Sequence, residues 1–372
     1  MRFFVVRHTL YVFAIIIALL WNSVVLGQKS DTWIAFYNQD STKIGYKDSE
    51  GNMKIAPRFS GYATAMKFED IISVISDEDG KWTSYYLNKA GQTFGTDSLY
   101  FFDNAPDCEH EGFIRFRDHR TDKVGVFNKL GNIVIPAIYD DLTKVRNGML
   151  VGLKGAEKKY EHEQPYEGDN YYTWVGGQEV LIDTLNTILV ENFPNDRGLD
   201  FYSLGKSSQP ATDKRRKSFR TKEGTYFSFI DFETEFRTWL QKDFLPDLTM
   251  EKLMAAAHDT IVWESTNGWT NTDKQTFIQD HFAVLKKILT ELQVPAADYS
   301  IIVGHLNPFM YTGEDFALYF NNCRESKEWQ YPVLNIVITY NGKGLEFKQN
   351  HFDFLRTDEG YKLISVTIRN AL

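Results

Sequence analysis

Residues Lys123 to Asp141 read KVGVFNKLGNIVIPAIYDD, and two earlier stretches line up with them: KIGYKDSEGNMKIAPRF from Lys43 to Phe59 and KWTSYYLNKAGQTF from Lys81 to Phe94. Their glycines, Gly51, Gly91 and Gly131, fall at a constant interval of 40 residues. An aromatic or β-branched run precedes each glycine and another follows it. That is strand, tight turn, strand, with glycine supplying the positive φ that the turn requires. Ser49-Glu50, Lys89-Ala90 and Lys129-Leu130 fill the remaining turn positions.

A fixed period of this length is the mark of a repeat array, in which one unit cannot bury its own apolar face and neighbours must stack. A fourth unit reads GQEVLIDTLNTILVENF, Gly177 to Phe193, with Asn186 where glycine stood; asparagine tolerates left-handed geometry. The interval grows to 55 there, so residues 155–174 read as an insertion, an exposed loop or an extended hairpin. Between the turns, Glu111-Gly112-Phe113-Ile114 and Asn147-Gly148-Met149-Leu150 form a second signature. Pro57 and Pro136 follow their glycines by six and five residues. An aromatic share of 15% fits strands, since flat side chains suit a pleated, half-buried surface.

The order of lysine, two apolar or aromatic residues around a glycine, a turn glycine, then Ile-x-Pro or Val-Ile-Pro and an aromatic-Asp pair resembles the WG (KWG) repeat of bacterial proteins, best in KVGVFNKLGNIVIPAIYDD. The namesake tryptophan survives only as Trp82, without a following glycine; Ile44, Val124 or Val180 take its place elsewhere. The resemblance spans residues 31–195. It implies a β-rich array of short stacked hairpins with an interaction role, and it carries no catalytic residue. An open meander and a closed, propeller-like ring are both compatible with four units.

The chain divides accordingly. Residues 1–27 carry a basic start (Arg2, Arg7, His8), an apolar run from Leu10 to Leu20 and a small residue at Gly27, the layout of a cleaved secretory signal peptide. Residues 28–195 are the repeat domain, and the polar stretch 196–223 is expected to be a linker. Residues 224–372 bring the first helical periodicities, over Thr234 to Phe244, Met250 to Ala257 and Thr272 to Leu292. Strands then return in SIIVGHL, DFALYFN, PVLNIVITYNGKGLEFKQN and FDFLRTDEGYKLISVTI, with hairpin signals at Asn341-Gly342 and Glu359-Gly360. The plan is an α+β domain with an antiparallel sheet. Its element order, and the pattern from Asp358 to Val366, is similar to the nuclear-transport-factor/ketosteroid-isomerase superfamily.

A net charge of −9 repels phosphate backbones, and the one basic run, Lys214-Arg215-Arg216-Lys217, lacks aromatic neighbours at stacking spacing, so no nucleic-acid partner is expected. No second segment is apolar enough to span a membrane. Cys108 and Cys323 lie in different halves, and spacing alone leaves their pairing open. Glu109-His110-Glu111 and Glu161-His162-Glu163 look like ligand sets, but on a strand each histidine faces away from its flanking carboxylates. His258-Asp259, His281, His305 and His351 share no catalytic spacing. Trp263, Trp269 and His305 stand out as candidate ligand contacts. No catalytic, cofactor-binding or metal-binding residue is assigned. These features point to an exported, non-enzymatic binding or scaffold protein of the periplasm, cell surface or medium, engaging protein or glycan. The alternative is an enzyme or small-ligand carrier with its pocket in residues 224–372.

Overall fold

The computed structural model describes residues 32–369 apart from 61–63, 79–80, 103, 161–171, 195–197, 266–267, 295–297 and 342–346. The expected signal peptide at 1–27 and Glu161-His162-Glu163 therefore lie outside the described residues.

The N-terminal half is strand-rich and built from small antiparallel sheets. Unit one carries β1 (Trp33–Tyr37), β2 (Lys43–Lys47) and β3 (Met53–Ser60). Unit two carries β4 (Ile71–Glu78), β5 (Lys81–Asn88) and β6 (Thr93–Phe94). Unit three has β7 (Phe113–Asp118), β8 (Lys123–Asn128) and β9 (Ile133–Tyr139). In unit four β10 (Met149–Tyr160) and β11 (Tyr172–Asp183) form a long hairpin before β12 (Ile188–Glu191).

The turn between the second and third strands is built the same way each time. Gly51, Gly91, Gly131 and Asn186 occupy its positive-φ position, at 86°, 81°, 77° and 64°. Each amide there donates to the carbonyl three residues back, on Asp48, Asn88, Asn128 or Asp183. The side chain of that same residue accepts the amide four residues on (2.8–3.1 Å), which explains why Asp or Asn opens these four turns. A second glycine has a packing reason. A Cβ on Gly125 would lie 2.6 Å from the Ile135 carbonyl oxygen and the Phe116 ring, and one on Gly45 2.3 Å from the Ile55 oxygen. The third strand crosses over these positions, and no side chain fits.

Anchoring the units on their turns corrects two sequence alignments. The place of Ile44 and Val124, both fully buried, is held in unit two by Ser84, because that hairpin is longer; Trp82 pairs with Asp77 at the hairpin end and is 66% exposed. Ile55 and Ile135 pair with Tyr46 and Val126 alike, so Pro136 follows its isoleucine by one residue and Pro57 by two, and the prolines are not equivalent.

The expected linker is also corrected. Within 196–223, Leu199–Ser207 forms β13 and Arg216–Arg220 forms β14, and both pair with β15 (Tyr226–Asp231). Thr221 opens a turn of the same design, with Gly224 (φ 84°) donating to its carbonyl. This is a fifth unit, with its third strand in the centre of the sheet. The exposed lysines and arginines of its outer face hid the alternation.

Four apolar clusters lie between consecutive units. Ile44 and Tyr46 meet Ile72 and Val74; Tyr86 meets Phe116 and Phe127; Val126 and Ile135 meet Leu150 and Ile182; Phe193 meets Phe201 and Phe229. Each interface closes one face of each of its two sheets, so units depend on neighbours for their stability.

After β15, Asp231 caps α1 (Phe232–Trp239), which widens into a π-helical turn at Leu240–Phe244. Thr249 caps α2 (Met250–Ala255), and Asp273 caps α3 (Lys274–Glu291). These helices pack on one face of a sheet with β16 (Ala257–Ser265), β17 (Gly268–Asp273), β18 (Tyr299–Gly304), β19 (Val333–Asn341), β20 (Phe347–Thr357) and β21 (Gly360–Thr367), in the order β17-β16-β21-β20-β19-β18. The sheet is mixed, which corrects the antiparallel expectation: β16 runs parallel to β21, Val262 opposite Ser365. The stretch DFALYFN is a 3-10 helix (Glu314–Tyr319) and not a strand; it lays Phe316 over the sheet's second face while Leu318 points outward.

Candidate functional site

Two places combine unusual chemistry with accessible position: the joint between the two halves, and the outer part of the β10–β11 hairpin.

The joint is built from the turns that lead into each unit's first strand. At 110–113 and 146–149 both central residues have positive φ (Glu111 55°, Gly112 78°; Asn147 51°, Gly148 68°), and the flanking residues exchange both backbone hydrogen bonds. The second sequence signature is thus a tight mirror-image turn. Glu111 links one turn to the next, accepting from the amides of Asn147 (2.7 Å) and Gly148 (2.9 Å) and from the Tyr202 hydroxyl (2.7 Å).

Five residues before the first strands of units two, three and four stand Met66, Cys108 and Lys144. All three meet one turn of the C-terminal half, Asn321 to Glu325. The amides of Met66 and Lys67 donate to the Asn322 carbonyl (2.9 and 3.1 Å), Cys108 is disulfide-bonded to Cys323, and Lys144 pairs with Glu325. The Asn322 amide group reaches Glu69 at 3.0 Å. The visiting turn copies the repeat turns: the Asn321 side chain accepts from the amides of Cys323 and Glu325, and Arg324 (φ 64°) takes the glycine's place. Nearby, the Trp329 ring meets His110 (4.9 Å) and Arg146 (5.3 Å), and Arg356 bridges Asp200 of unit five (3.0 Å) and Glu235 (2.8 Å).

Beneath the disulfide lies a cavity of about 120 Å³, lined among others by Ser73, Asp107, Cys108, Glu109, Cys323 and Glu325. Asp107 is buried, and burial alone would raise its carboxyl. The Arg115 guanidinium, held at 2.6 and 3.0 Å, and Lys144 at 3.8 Å outweigh this and keep it below its usual range. Glu109 has no such partner. It accepts the Gly112 amide at 2.6 Å on one oxygen, while the other, buried, has no hydrogen bond. Burial, with Glu69 and Asp70 close by, pushes it up to about 7 from 4.5.

The pH dependence follows from that direction. A carboxyl that ionises near 4.5 unfolded and near 7 folded leaves stability intact below pH 4.5 and removes it as pH rises through 7. The loss at pH 8 is about 3 kcal/mol. Glu109→Gln is expected to abolish that part of the drop between pH 5 and 8 in denaturant unfolding; an unchanged pH slope would refute the assignment.

The outer hairpin begins where Gly155, Gly176 and Gly177, all at positive φ, bend it away from the core. Beyond them Lys158 pairs with Trp174 and Tyr160 with Tyr172 on one face. The rings meet edge to face at 5.8 Å (Tyr160–Tyr172) and 5.3 Å (Tyr172–Trp174), and the Lys158 ammonium lies 4.3 Å above Tyr172 while paired to Asp122 of unit three. The insertion is therefore an arm with an aromatic, singly cationic face.

The residues picked from sequence do not converge. Trp263 faces Thr270 and Trp269 faces Glu264 across β16–β17, which places the two tryptophans on opposite sides of the sheet. Trp263 donates to the Thr272 hydroxyl and packs on Phe277. Trp269 is 59% exposed. His305 follows β18 at the opposite sheet edge, 3.8 Å from Glu328. His258 stacks on Phe316, His281 lies against Trp263 and His351 approaches Asn335, three separate surroundings. In Glu109-His110-Glu111 each carboxylate serves a different turn, and His110 Nδ1 lies 2.5 Å from the Val145 carbonyl. Among the described residues no cluster of His, Cys, Asp or Glu is placed to hold a metal, and no helix is long and apolar enough to cross a membrane.

Compared with known proteins, the chain matches the model of the WG containing repeat over residues 125–151. That segment begins at the crowded Gly125 and ends just inside the first strand of unit four. No curated protein and no solved structure matches the chain.

Proposed function

We propose that a chain with a WG-type repeat works as an exported, non-enzymatic binding or scaffold protein, using its β-repeat surface to engage a protein or glycan of the cell envelope or the medium. The observation that carries this reading is the arm. Tyr160, Tyr172 and Trp174 belong to none of the apolar clusters of the core; their contacts are with each other and with Lys158, which leaves an aromatic face for a partner. The Cys108–Cys323 disulfide supports export, since such bonds persist in oxidising compartments. The helix-facing side of the C-terminal sheet is filled by Phe236, Phe277, Phe352 and Phe354, which favours a supporting role for that half over the ligand-carrier alternative and its likeness to the ketosteroid-isomerase superfamily.

The test is binding of the oxidised protein to arrayed glycans and immobilised envelope proteins. A ligand is expected whose affinity falls about thirtyfold in Trp174→Ala, the ~2 kcal/mol of an aromatic anchor. Circular dichroism should stay unchanged. Binding that ignores substitutions at Tyr172 and Trp174, or no binding to either class, defeats the proposal.

A further inference from the structure

The meeting of three equivalent repeat positions with one foreign turn gives the array a hub. Met66, Cys108 and Lys144 come from successive unit junctions, and residues 322, 323 and 325 take them in order. The turn has the hydrogen-bonding of a repeat turn yet belongs to the C-terminal half, joined to its sheet through the loop between β18 and β19. Its one apolar contact with the array is Cys323 itself, which packs at the edge of the cluster between units one and two. The space under Cys323 is the 120 Å³ cavity, and its walls carry the carboxyls of Asp107, Glu109 and Glu325. Besides the disulfide, the turn is held to the array by polar contacts: two backbone hydrogen bonds from Met66 and Lys67, one side-chain hydrogen bond to Glu69 and the ion pair with Lys144. Such contacts are individually weak. The apolar clusters between units, by contrast, are built from residues of the array, with Cys323 touching the first of them at its edge.

We propose that the Cys108–Cys323 disulfide is a redox latch: oxidised, it holds the 321–325 turn on the hub of the repeat array; reduced, it lets the turn leave and opens the junction surface while the units stay folded. Cys323 is the half-buried partner and Cys108 the buried one, so a dithiol reductant meets Cys323 first. Its thiolate attacks Cys323 Sγ; the Sγ–Sγ bond breaks and Cys108 leaves as a thiolate that takes up a proton. The reductant's second thiol then closes on the mixed disulfide, releasing Cys323 as a thiol and leaving the reductant oxidised. What opens is a surface of Glu69, Glu109 and Lys144 around the cavity.

Hydrogen exchange of the full chain before and after dithiothreitol, and of Cys323→Ser, tests this. Reduction and the variant should each speed exchange at Met66, Lys67, Cys323 and Glu325 by tenfold or more, with the β7–β8 ladder unchanged. Lys144→Met in the oxidised protein should keep those amides protected. Three results overturn the latch: protection at Met66 and Lys67 that survives reduction; a β7–β8 ladder that exchanges in step with them, which makes the bond a global staple; or release by Lys144→Met alone, which gives the hold to the ion pair.

Discussion

Asp107→Ala is expected to cost about 3–5 kcal/mol of stability, the penalty for leaving a buried charge without its partner. Asp107 sits at the centre of a network that joins three units. Its carboxylate takes the Nε (3.0 Å) and Nη2 (2.6 Å) protons of Arg115 and the Arg115 amide, and its carbonyl accepts from the Ser73 hydroxyl at 2.8 Å. Arg115 donates its remaining guanidinium nitrogen to the Leu142 carbonyl (2.7 Å) and lies 4.1 Å over the Tyr100 ring, so it cannot reach water when the carboxylate is removed. The double substitution Asp107→Ala with Arg115→Met separates the two contributions. Replacing the whole pair by apolar groups should recover most of the loss, because neither charge then has to be desolvated. Denaturant unfolding of the two single variants and the double measures this. A double variant as unstable as Asp107→Ala would mean that packing, and not the uncompensated cation, sets the cost.

Phe236→Ala should be of similar size, about 3–5 kcal/mol, by the transfer and cavity terms of a buried phenylalanine. Phe236 is fully buried on α1, with its ring 5.5 Å from Trp239, 5.5 Å from Phe354 and 4.9 Å from Tyr361. Removing it opens space between α1 and β20–β21 at the point where both the helix and the sheet depend on aromatic contact. The damage should stay in the C-terminal half. Amide protection in β7–β9 is expected to persist at denaturant concentrations where β19–β21 has lost it. Loss of both at one midpoint would instead show that the two halves unfold as one cooperative unit.

The units were readable where their requirements are local. A turn that needs positive φ and an opening Asp or Asn leaves its mark in four or five adjacent residues, which is why Gly51, Gly91, Gly131 and Asn186 stand out. The fifth turn, Thr221 to Gly224, carries a fainter mark: threonine replaces Asp or Asn, and Arg215, Arg216 and Lys217 give the flanking strand the pattern of a solvated run. A search for a glycine three residues after any hydroxyl or amide side chain, 38 residues past Asn186, finds it. Trp82 and Val124 follow equivalent lysines yet are not equivalent, because the hairpin of unit two is longer than that of unit three, a difference fixed by strand pairing. DFALYFN misled because three aromatics and a leucine in seven residues suit a strand and a one-sided 3-10 turn equally well.

By itself, then, the sequence determined the period, the turn chemistry and the three helical stretches of the C-terminal half, because each is settled by neighbours within a few residues; it missed the β16–β17 hairpin that precedes α3. Tertiary structure alone decided that Cys108 meets Cys323, that β16 runs beside β21, that Trp263 and Trp269 face apart, and that Glu109 ionises near 7. The disulfide depends on how the unit interfaces add up before the chain returns to the hub, and the others on strand pairing, register and burial in the folded sheet and junction. No short window records the position of Cys323 over Cys108, because each unit interface contributes to it and none contains it.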